Sequence, residues 1–305
     1  MSAWLEYARA SHGATGFVGS RLVPALLDDG HDVVALVRDR HRYDPPAGVT
    51  VMQGDLLDEN FEHALSDVAA AYYLVHSMRD SSSFAERDRS AARNFVRAAS
   101  ESDIERVVYL SGLGSNESRL SNHLRSRREV ERILKRGTYD LTTLRAAIIV
   151  GNGSAGYEIL RQLGERYPVL IAPKGIDTRC QPIAVDDAIE YLTGVLSVPE
   201  TADDTFEIGG PDVLTYREIL IRIGRATQHR APIIVTLPVD SALFSGRSVA
   251  LLTGVSHRIV TPLLDGLDDP VVVTDTRIQS LVPIDRTPFT MALERTIHSD
   301  DPQNQ

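Results

Sequence analysis

The sequence predicts an α/β fold built on a doubly wound parallel sheet, with a smaller C-terminal lobe. Short apolar runs typical of buried strands alternate with longer amphipathic segments over about the first 150 of the 305 residues. Such alternation implies right-handed crossovers between parallel strands. From about residue 151 the alternation loosens, because glycines and prolines interrupt it. We therefore expect a sheet domain over residues 1–150, a lobe packed on it over 151–298, and a disordered polar tail over 299–305.

The first strand is the least regular of the predicted elements. A central strand of a parallel sheet is buried on both faces and is usually an aliphatic run, but residues 4–12 include Glu6 and Arg9. Burial of an unpaired charge is costly. Two interpretations remain open: the strand is short and distorted, over residues 7–11, or an unrelated segment replaces the native start. The second interpretation would leave a weakened cofactor site in an otherwise intact fold.

A glycine-rich turn at residues 13–19 leads directly into an apolar helical run at residues 22–26. Glycines at three-residue spacing allow a sharp bend, a close approach to a pyrophosphate and tight packing of the next helix on the sheet. A helix that begins near Gly16 would direct free N–H groups and its positive dipole end at that pyrophosphate. The turn therefore predicts a dinucleotide site, although the glycines alone would also fit an ordinary loop. Its candidate cofactor-binding residues are Gly13, Thr15, Gly16, Phe17, Val18 and Gly19.

The end of the second strand indicates which dinucleotide binds. Residues 28–32 supply a helix stop, and the apolar run at 33–37 that follows them ends at Arg38. In a dinucleotide-binding fold this point meets the adenosine ribose, where a carboxylate favours NAD and a guanidinium favours a 2′-phosphate. Arg38 therefore predicts NADP(H) rather than NAD(H). The alternative is that Arg38 is a solvated residue at a strand end.

The remaining elements follow from apolar periodicity. Strands are predicted at residues 49–53, 70–75, 106–111, 141–145 and 205–208. Helices are predicted at residues 84–102, 122–136, 185–198 and 216–227. The apolar stretch 231–264 is interrupted by prolines and charged residues, so we expect amphipathic helices over a pocket there, with contact to a membrane surface as the alternative.

Composition excludes several functional classes. A net charge of −10 argues against nonspecific binding to nucleic acid or to anionic membranes. The single cysteine, Cys180, excludes an intrachain disulfide and any CxxC metal or redox motif, and it is compatible with a reducing compartment. The sequence has no apolar run of about 18 residues, and its first residues lack a basic segment followed by an apolar core. We therefore expect a cytoplasmic protein without a signal peptide or a transmembrane span.

Four motifs together resemble the extended and atypical short-chain dehydrogenase/reductase superfamily, which has a Rossmann-like fold. They are the glycine turn, the exit Gly54-Asp55-Leu56, the strand end Tyr109-Leu110-Ser111 and the later segment 181–187. Three shorter phrases resemble its NmrA-like and YbjT-like branch, at residues 73–78, 122–125 and 144–151. That branch is described as NAD(P)H-binding, and the resemblance covers most of the chain.

The resemblance implies further cofactor contacts. Asp55 and Leu56 would lie along the adenine. Val75, His76 and Ser77 would lie along the ribose and nicotinamide side. All five lie in loops at the carboxyl ends of predicted strands, where open α/β sheets bind their ligands. For His76 the alternative is an ordinary polar residue at a strand end.

The superfamily normally carries a serine after the fifth strand and a Tyr-x-x-x-Lys pair on the next helix. Ser111 matches the serine, whereas His123 and Arg127 occupy the tyrosine and lysine positions on one helix face. A histidine can act as a general acid/base near neutral pH. Arginine stays protonated, so it could bind ribose hydroxyls but not relay a proton. These three are the candidate catalytic residues, and the alternative is a cofactor pocket without turnover.

Three functions fit these observations. The first is an NADP(H)-dependent oxidoreductase acting on a small carbonyl or quinone-like molecule. The second, favoured by the missing Tyr-x-x-x-Lys pair, is a non-catalytic NADP-sensing regulator or assembly factor with a protein partner. The third is a sugar-nucleotide epimerase or dehydratase, whose chemistry usually relies on the same missing tyrosine.

Overall fold

The computed structural model describes residues 2–6, 14, 16–58, 61–75, 84–114, 121–228, 230–237, 264 and 266–299. The strands are β1 (Ser2–Glu6), β2 (Asp32–Val37), β3 (Val49–Gln53), β4 (Ala70–Tyr73), β5 (Arg106–Gly112), β6 (Asp140–Ala146), β7 (Ile149–Val150), β8 (Val169–Ala172), β9 (Arg179–Cys180), β10 (Ile183–Ala184), β11 (Thr205–Ile208), β12 (Leu214–Thr215) and β13 (Ile233–Thr236). The α-helices are α1 (Gly19–Asp28), α2 (Phe84–Ser100), α3 (Asn122–Leu134), α4 (Ala155–Arg166), α5 (Val185–Gly194), α6 (Tyr216–Gln228), α7 (Ile278–Leu281) and α8 (Phe289–Ser299).

Seven strands form one sheet in the order β11-β6-β5-β4-β1-β2-β3. Every neighbouring pair in it is parallel. The chain builds outward from β1 to β3, then crosses back to β4 beside β1 and continues in the other direction. The strand order therefore reverses between β1 and β4, at the kind of switch point where doubly wound sheets bind ligands. The predicted α/β class with a doubly wound parallel sheet is confirmed.

The central strand β1 lies earlier in the chain than the predicted residues 7–11. Ala3 is opposite Val33 of β2 and also opposite Ala70 of β4, so β1 is paired on both sides. Residues 3–5 supply the apolar run of this strand, and Glu6 ends the strand instead of interrupting it. Residues 7–13 lie outside the described part of the chain.

Helix α1 begins at Gly19, three residues after the predicted start at Gly16. Residues 16–18 form a turn in which the carbonyl of Gly16 accepts a hydrogen bond from the Ser20 amide at 2.9 Å. The predicted stop at the other end is confirmed. Gly30 has a φ of +79°, which glycine adopts without the Cβ penalty of other residues. Its amide bonds the Leu27 carbonyl and the next amide bonds the Leu26 carbonyl, closing the helix end.

Helices cover both faces of the sheet. On one face, α2 and α3 pack over a core that includes Tyr73, Phe95 and Tyr109. On the other, α1 and α5 share a core to which Leu26 and Leu192 contribute. Helix α5 ends at Gly194, earlier than the predicted residue 198, because the chain tightens there into a 3₁₀ turn at Val195–Ser197.

The chain re-enters the large sheet after the boundary predicted at residue 150. Strand β11 pairs with β6, with Thr205 opposite Thr143, and its Phe206 and Ile208 are buried in the same core as α1 and α5. The sheet and its helical layers therefore draw on residues from both sides of that boundary.

A separate core forms the lobe, between α4, α6 and α8 and the two-stranded sheet β8-β13. The prediction of amphipathic helices over residues 231–264 is wrong at Ile233–Thr236. This run of mostly β-branched residues forms β13 and pairs in parallel with β8. Residues 238–263 and 300–305 lie outside the described residues. Ser299, predicted to begin the tail, is the last residue of α8. None of the described helices is both long and apolar enough to cross a bilayer.

Candidate functional site

The sheet topology brings most of the predicted cofactor residues together at the carboxyl ends of the parallel strands. The residues 16–19 precede or open α1, Arg38 follows β2, Asp55 follows β3, and Val75 follows β4. Ser111 lies near the end of β5. Because all these strands are parallel, their carboxyl ends lie at the same edge of the sheet, around the switch point between β1 and β4.

The turn before α1 offers unpaired backbone donors. Within the described residues, the amides of Phe17, Val18 and Gly19 have no hydrogen-bond acceptor. Val18, the N-cap, provides no side-chain cap, and the first turn of α1 contains no acidic residue. Three free amides at the positive end of a helix dipole suit the oxygens of a phosphate group. This donor set fits a pyrophosphate. Gly13 and Thr15 lie outside the described residues.

Arg38 and Asp55 lie close together at the ends of β2 and β3. Arg38 Nη1 is 3.7 Å from Asp55 Oδ2, and the Arg38 side chain is 13% exposed. The other Asp55 oxygen accepts the Leu57 amide at 3.0 Å, which fixes the carboxylate in a local turn. A guanidinium is therefore positioned where the sequence predicted one, with a neighbouring carboxylate that partly offsets its charge.

Leu56 and Val75 are buried in the core beneath α2 and α3. The Leu56 carbonyl accepts a hydrogen bond from Asn94 Nδ2 at 2.7 Å. With its side chain in the core and its carbonyl engaged, Leu56 could contact an adenine only through its remaining backbone atoms. His76 and Ser77 lie outside the described residues.

Ser111 is buried near the carboxyl end of β5, on the face covered by α3. Its Oγ makes no hydrogen bond of good geometry with any described residue, although the Tyr109 hydroxyl lies near enough to interact with it. A Cβ at Gly112 would come within 2.5 Å of Leu124 Cδ2, so the first turn of α3 approaches the strand end closely. Ser111 thus has an available hydroxyl beside the start of α3.

His123 and Arg127 lie on α3, whose N-cap Ser121 accepts the Leu124 amide. His123 is half-buried in the first turn. Arg127 Nη1 donates to the Leu110 carbonyl at 3.4 Å, and its buried Nε has no hydrogen-bond partner in the described part of the chain. The structure therefore places Arg127 against the end of β5, with donor capacity to spare.

Tyr109 does not replace the missing tyrosine of the superfamily. It is fully buried, and its hydroxyl donates to the Arg127 carbonyl at 3.3 Å. Burial raises the pKa of the Tyr109 phenol, and the nearby Arg127 opposes this shift. A buried phenol bonded to the backbone of α3 supports the helix rather than delivering a proton to a ligand.

Sequence reasoning missed a partly buried ionic cluster near Ser111. Glu131 of α3 pairs with Arg145 Nη2 at 2.5 Å and with Arg128 Nη1 at 3.2 Å. Arg128, itself 5% exposed, also donates to the Gly114 carbonyl at 3.1 Å. Arg145 is the neighbour of Ser111 across the β5-β6 pair. The cluster ties α3 to the ends of β5 and β6 and so supports the position of Ser111.

These groups have complementary chemical capacities. The amides before α1 and the Arg38 guanidinium can hold anionic groups. The Ser111 hydroxyl and the Arg127 N–H groups can orient ribose or carbonyl oxygens, and an imidazole such as that of His123 exchanges protons near neutral pH. No cluster of metal ligands occurs among the described residues. The fold and this edge of the sheet define a dinucleotide-binding protein of the Rossmann-like class.

The chain belongs to the NAD(P)H-binding family, whose family model matches residues 13–168, within the atypical, NmrA-like group of the short-chain dehydrogenase/reductase superfamily. The resemblance inferred from the motifs is confirmed. A ceramide reductase from Caulobacter vibrioides is 30% identical over 84% of this chain and 80% of its own length. A subunit of mitochondrial NADH dehydrogenase from Arabidopsis thaliana is 26% identical over 87% of this chain and 69% of its own length.

Solved structures share the fold at lower identity. An NADPH-dependent quinone oxidoreductase from Escherichia coli, complexed with NADPH, has a TM-score of 0.76 and 19% identity, covering 97% of this chain and all of its own. A nucleoside-diphosphate-sugar epimerase from Staphylococcus aureus has a TM-score of 0.75 and 16% identity, covering 96% of this chain and all of its own. At these identities the likeness concerns the fold alone.

Proposed function

We propose that this protein binds NADP(H) and reduces or oxidises a small apolar molecule that carries a carbonyl or quinone group. The observation that carries the proposal is the combination at one sheet edge of free amides before α1 and the Arg38 guanidinium. The name of one similar protein, a ceramide reductase that is 30% identical, supports reductase chemistry.

The cofactor-binding roles follow from the chemistry of each group. The amides of Phe17, Val18 and Gly19 would bind the pyrophosphate, and Arg38 would bind the 2′-phosphate of NADP. Asp55 and the backbone of Leu56 would contact the adenine. The loop after β4, with Val75, His76 and Ser77, would lie along the ribose and nicotinamide side.

The candidate catalytic residues would bind the ribose, hold the substrate and transfer the proton. When bound, the nicotinamide supplies or accepts the hydride. Arg127, through its unused N–H groups, would bind the adjacent ribose hydroxyls, and Ser111 would hold the substrate oxygen. His123 would donate or accept the proton directly or through a water, because imidazole side chains exchange protons near neutral pH.

Steady-state oxidation of NADPH over a panel of aldehydes, ketones and quinones tests the proposal. We expect His123→Ala to lower kcat by about 100-fold or more, since general acid/base groups typically contribute at least that much. The NADPH Kd should change little. His63→Ala is the matched control, because His63 is an exposed histidine that belongs to none of the proposed sites. Turnover that is equal in the two variants would remove His123 from the mechanism.

A second candidate function is a protein that binds the dinucleotide and reports its redox state to a partner. The absence of the Tyr-x-x-x-Lys pair favours it, as does the similarity to named subunits of NADH dehydrogenase. Calorimetry and pull-down experiments distinguish the two candidates. Tight NADP binding without turnover of any carbonyl, together with a partner captured only when NADP is present, would select the sensing function over the enzyme.

A further inference from the structure

A cavity of about 280 Å³ opens between α1, α5 and α8, and its Arg21 contacts Phe17 of the turn before α1. Its polar lining comes from Arg21, Asn152, Asp186, Arg295, Thr296 and Ser299. None of the residues assigned above to the dinucleotide or to catalysis lines it. We refer to it as the α1/α8 cavity. Its size is at the lower end for ligand pockets, which suits a small molecule.

Arg21 is the best-fixed cation of this cavity. Its Nη1 donates to the Phe17 carbonyl at 2.8 Å and its Nη2 to the Asn152 carbonyl at 3.0 Å. Its guanidinium also lies 4.7 Å from the centre of the Phe17 ring. A guanidinium has five N–H donors, so three of them have no acceptor among the described residues. Burial lowers the pKa of Arg21, and Asp186 only partly opposes this, as expected of a cation without a close counterion.

Among the residues that line the cavity, two arginines and one aspartate give an excess of one positive charge. Arg295 Nη1 is 3.6 Å from Asp186 Oδ2, and both side chains are more than half exposed. This distant, solvated pair neutralises little. The Thr296 and Ser299 hydroxyls already donate to backbone carbonyls, so the two guanidiniums are the side chains with donors to offer. One negative charge would balance two arginines and one aspartate, whereas a phosphate dianion would face repulsion from Asp186.

We propose that the α1/α8 cavity is a second ligand site, which binds the carboxylate group of a small organic acid between Arg21 and Arg295. The carboxylate accepts from the free N–H donors of Arg21 and draws Arg295 away from its loose pair with Asp186. The fixed geometry of Arg21 favours this role, because a guanidinium already held by two carbonyls loses little conformational entropy on binding.

Calorimetric titration with propionate at constant ionic strength, without any dinucleotide, tests the site. Propionate lacks a reactive carbonyl, so its binding is independent of the proposed oxidoreductase activity. We expect saturable binding at about millimolar Kd, weakened about ten-fold in Arg295→Gln. Arg166→Gln, at an exposed arginine of α4 that does not line the cavity, should bind propionate like the unaltered protein.

Asp186→Asn provides a test of opposite sign. Removing this exposed carboxylate should strengthen propionate binding, because it removes both the repulsion and the competing partner of Arg295. Thermal melting of each variant checks that it is folded. Equal propionate affinity in Arg295→Gln and Arg166→Gln, or affinity unchanged by Asp186→Asn, would overturn the site.

Discussion

At the scale of single residues, the proposed preference for NADP(H) depends on Arg38. A charge-assisted hydrogen bond to a phosphate contributes about 1.5 to 3 kcal/mol, or roughly 10- to 100-fold in Kd. Asp55, 3.7 Å away, competes for the guanidinium and should hold the effect toward the lower end of that range. We therefore expect Arg38→Gln to weaken NADPH binding by about ten-fold and to leave NADH binding nearly unchanged.

Calorimetry with both dinucleotides measures this effect. Arg40→Gln is the control, since Arg40 is an exposed arginine two residues further along the same loop. If Arg38→Gln and Arg40→Gln lower NADPH affinity equally, the loss comes from the change in net charge, and Arg38 does not contact the 2′-phosphate.

Cys180 gives a second prediction at this scale. It is fully buried, and burial raises its pKa to about 12. At pH 8 roughly one thiol in ten thousand would then be ionised, against about a quarter for an exposed cysteine. Because the raised pKa keeps the thiol protonated, the reactivity of the native protein should stay low until the pH approaches 12. A thiol reagent such as dithionitrobenzoate should label one cysteine per chain only after denaturation; rapid labelling of the native protein would contradict the buried position.

The sequence predicted candidate site residues but not the ionic cluster that supports one of them. Arg38 was predicted because it directly follows an apolar strand, and Asp55 because the exit Gly54-Asp55-Leu56 resembles that of the superfamily; both lie at the carboxyl ends of parallel strands, where ligands bind. The Arg128-Glu131-Arg145 cluster was missed because charged residues at i, i+3 spacing on a helix read as a solvated face. Only the packing of α3 on the sheet, set by distant contacts, buries them.

At the scale of elements, apolar runs with polar ends predicted their strands well, and Thr205–Ile208 was predicted with its bounds. The start of α1 was misjudged because glycine spacing describes the turn and not the residue at which helical hydrogen bonds begin. Strand β13 was missed because it pairs with β8, about sixty residues earlier, and nothing local in a long apolar segment reveals such a partner.

The β8-β13 pair provides a prediction about element stability. Leu170 points into the lobe core and is 9% exposed, whereas the adjacent Ile171 is 58% exposed on the other face. Leu170→Ala should lower the free energy of unfolding by about 2 to 4 kcal/mol, since it removes a buried side chain and leaves a cavity. Ile171→Ala, one residue along the same strand, should cost less than about 1 kcal/mol. Urea denaturation measures both, and similar costs would mean that the outer face of this sheet is covered.

At the scale of the whole molecule, the large sheet depends on residues from beyond the predicted boundary at residue 150. Strand β11 and helix α5 come from the second half of the chain, yet Leu192, Phe206 and Ile208 are buried with residues of α1 and β2 in one core. The Tyr72 hydroxyl of β4 also donates to the Leu192 carbonyl at 2.8 Å. A sheet built only from residues 1–150 would expose the α1 and β2 residues that pack on these side chains. It would also leave β6 as an edge strand, without the hydrogen bonds to β11.

A fragment of residues 1–150 should therefore not fold, although it contains nearly all the predicted dinucleotide site. The full chain covers the α1 face of the sheet with α5 and pairs β6 with β11, and the fragment would lose both. We expect the full chain to unfold cooperatively in urea and the fragment to show no cooperative transition and no NADPH binding. Residues 1–210, which restore α5 and β11 but not the lobe core, are the comparison. Cooperative unfolding of the shorter fragment would show that the sheet domain is autonomous and that the later residues only add to it.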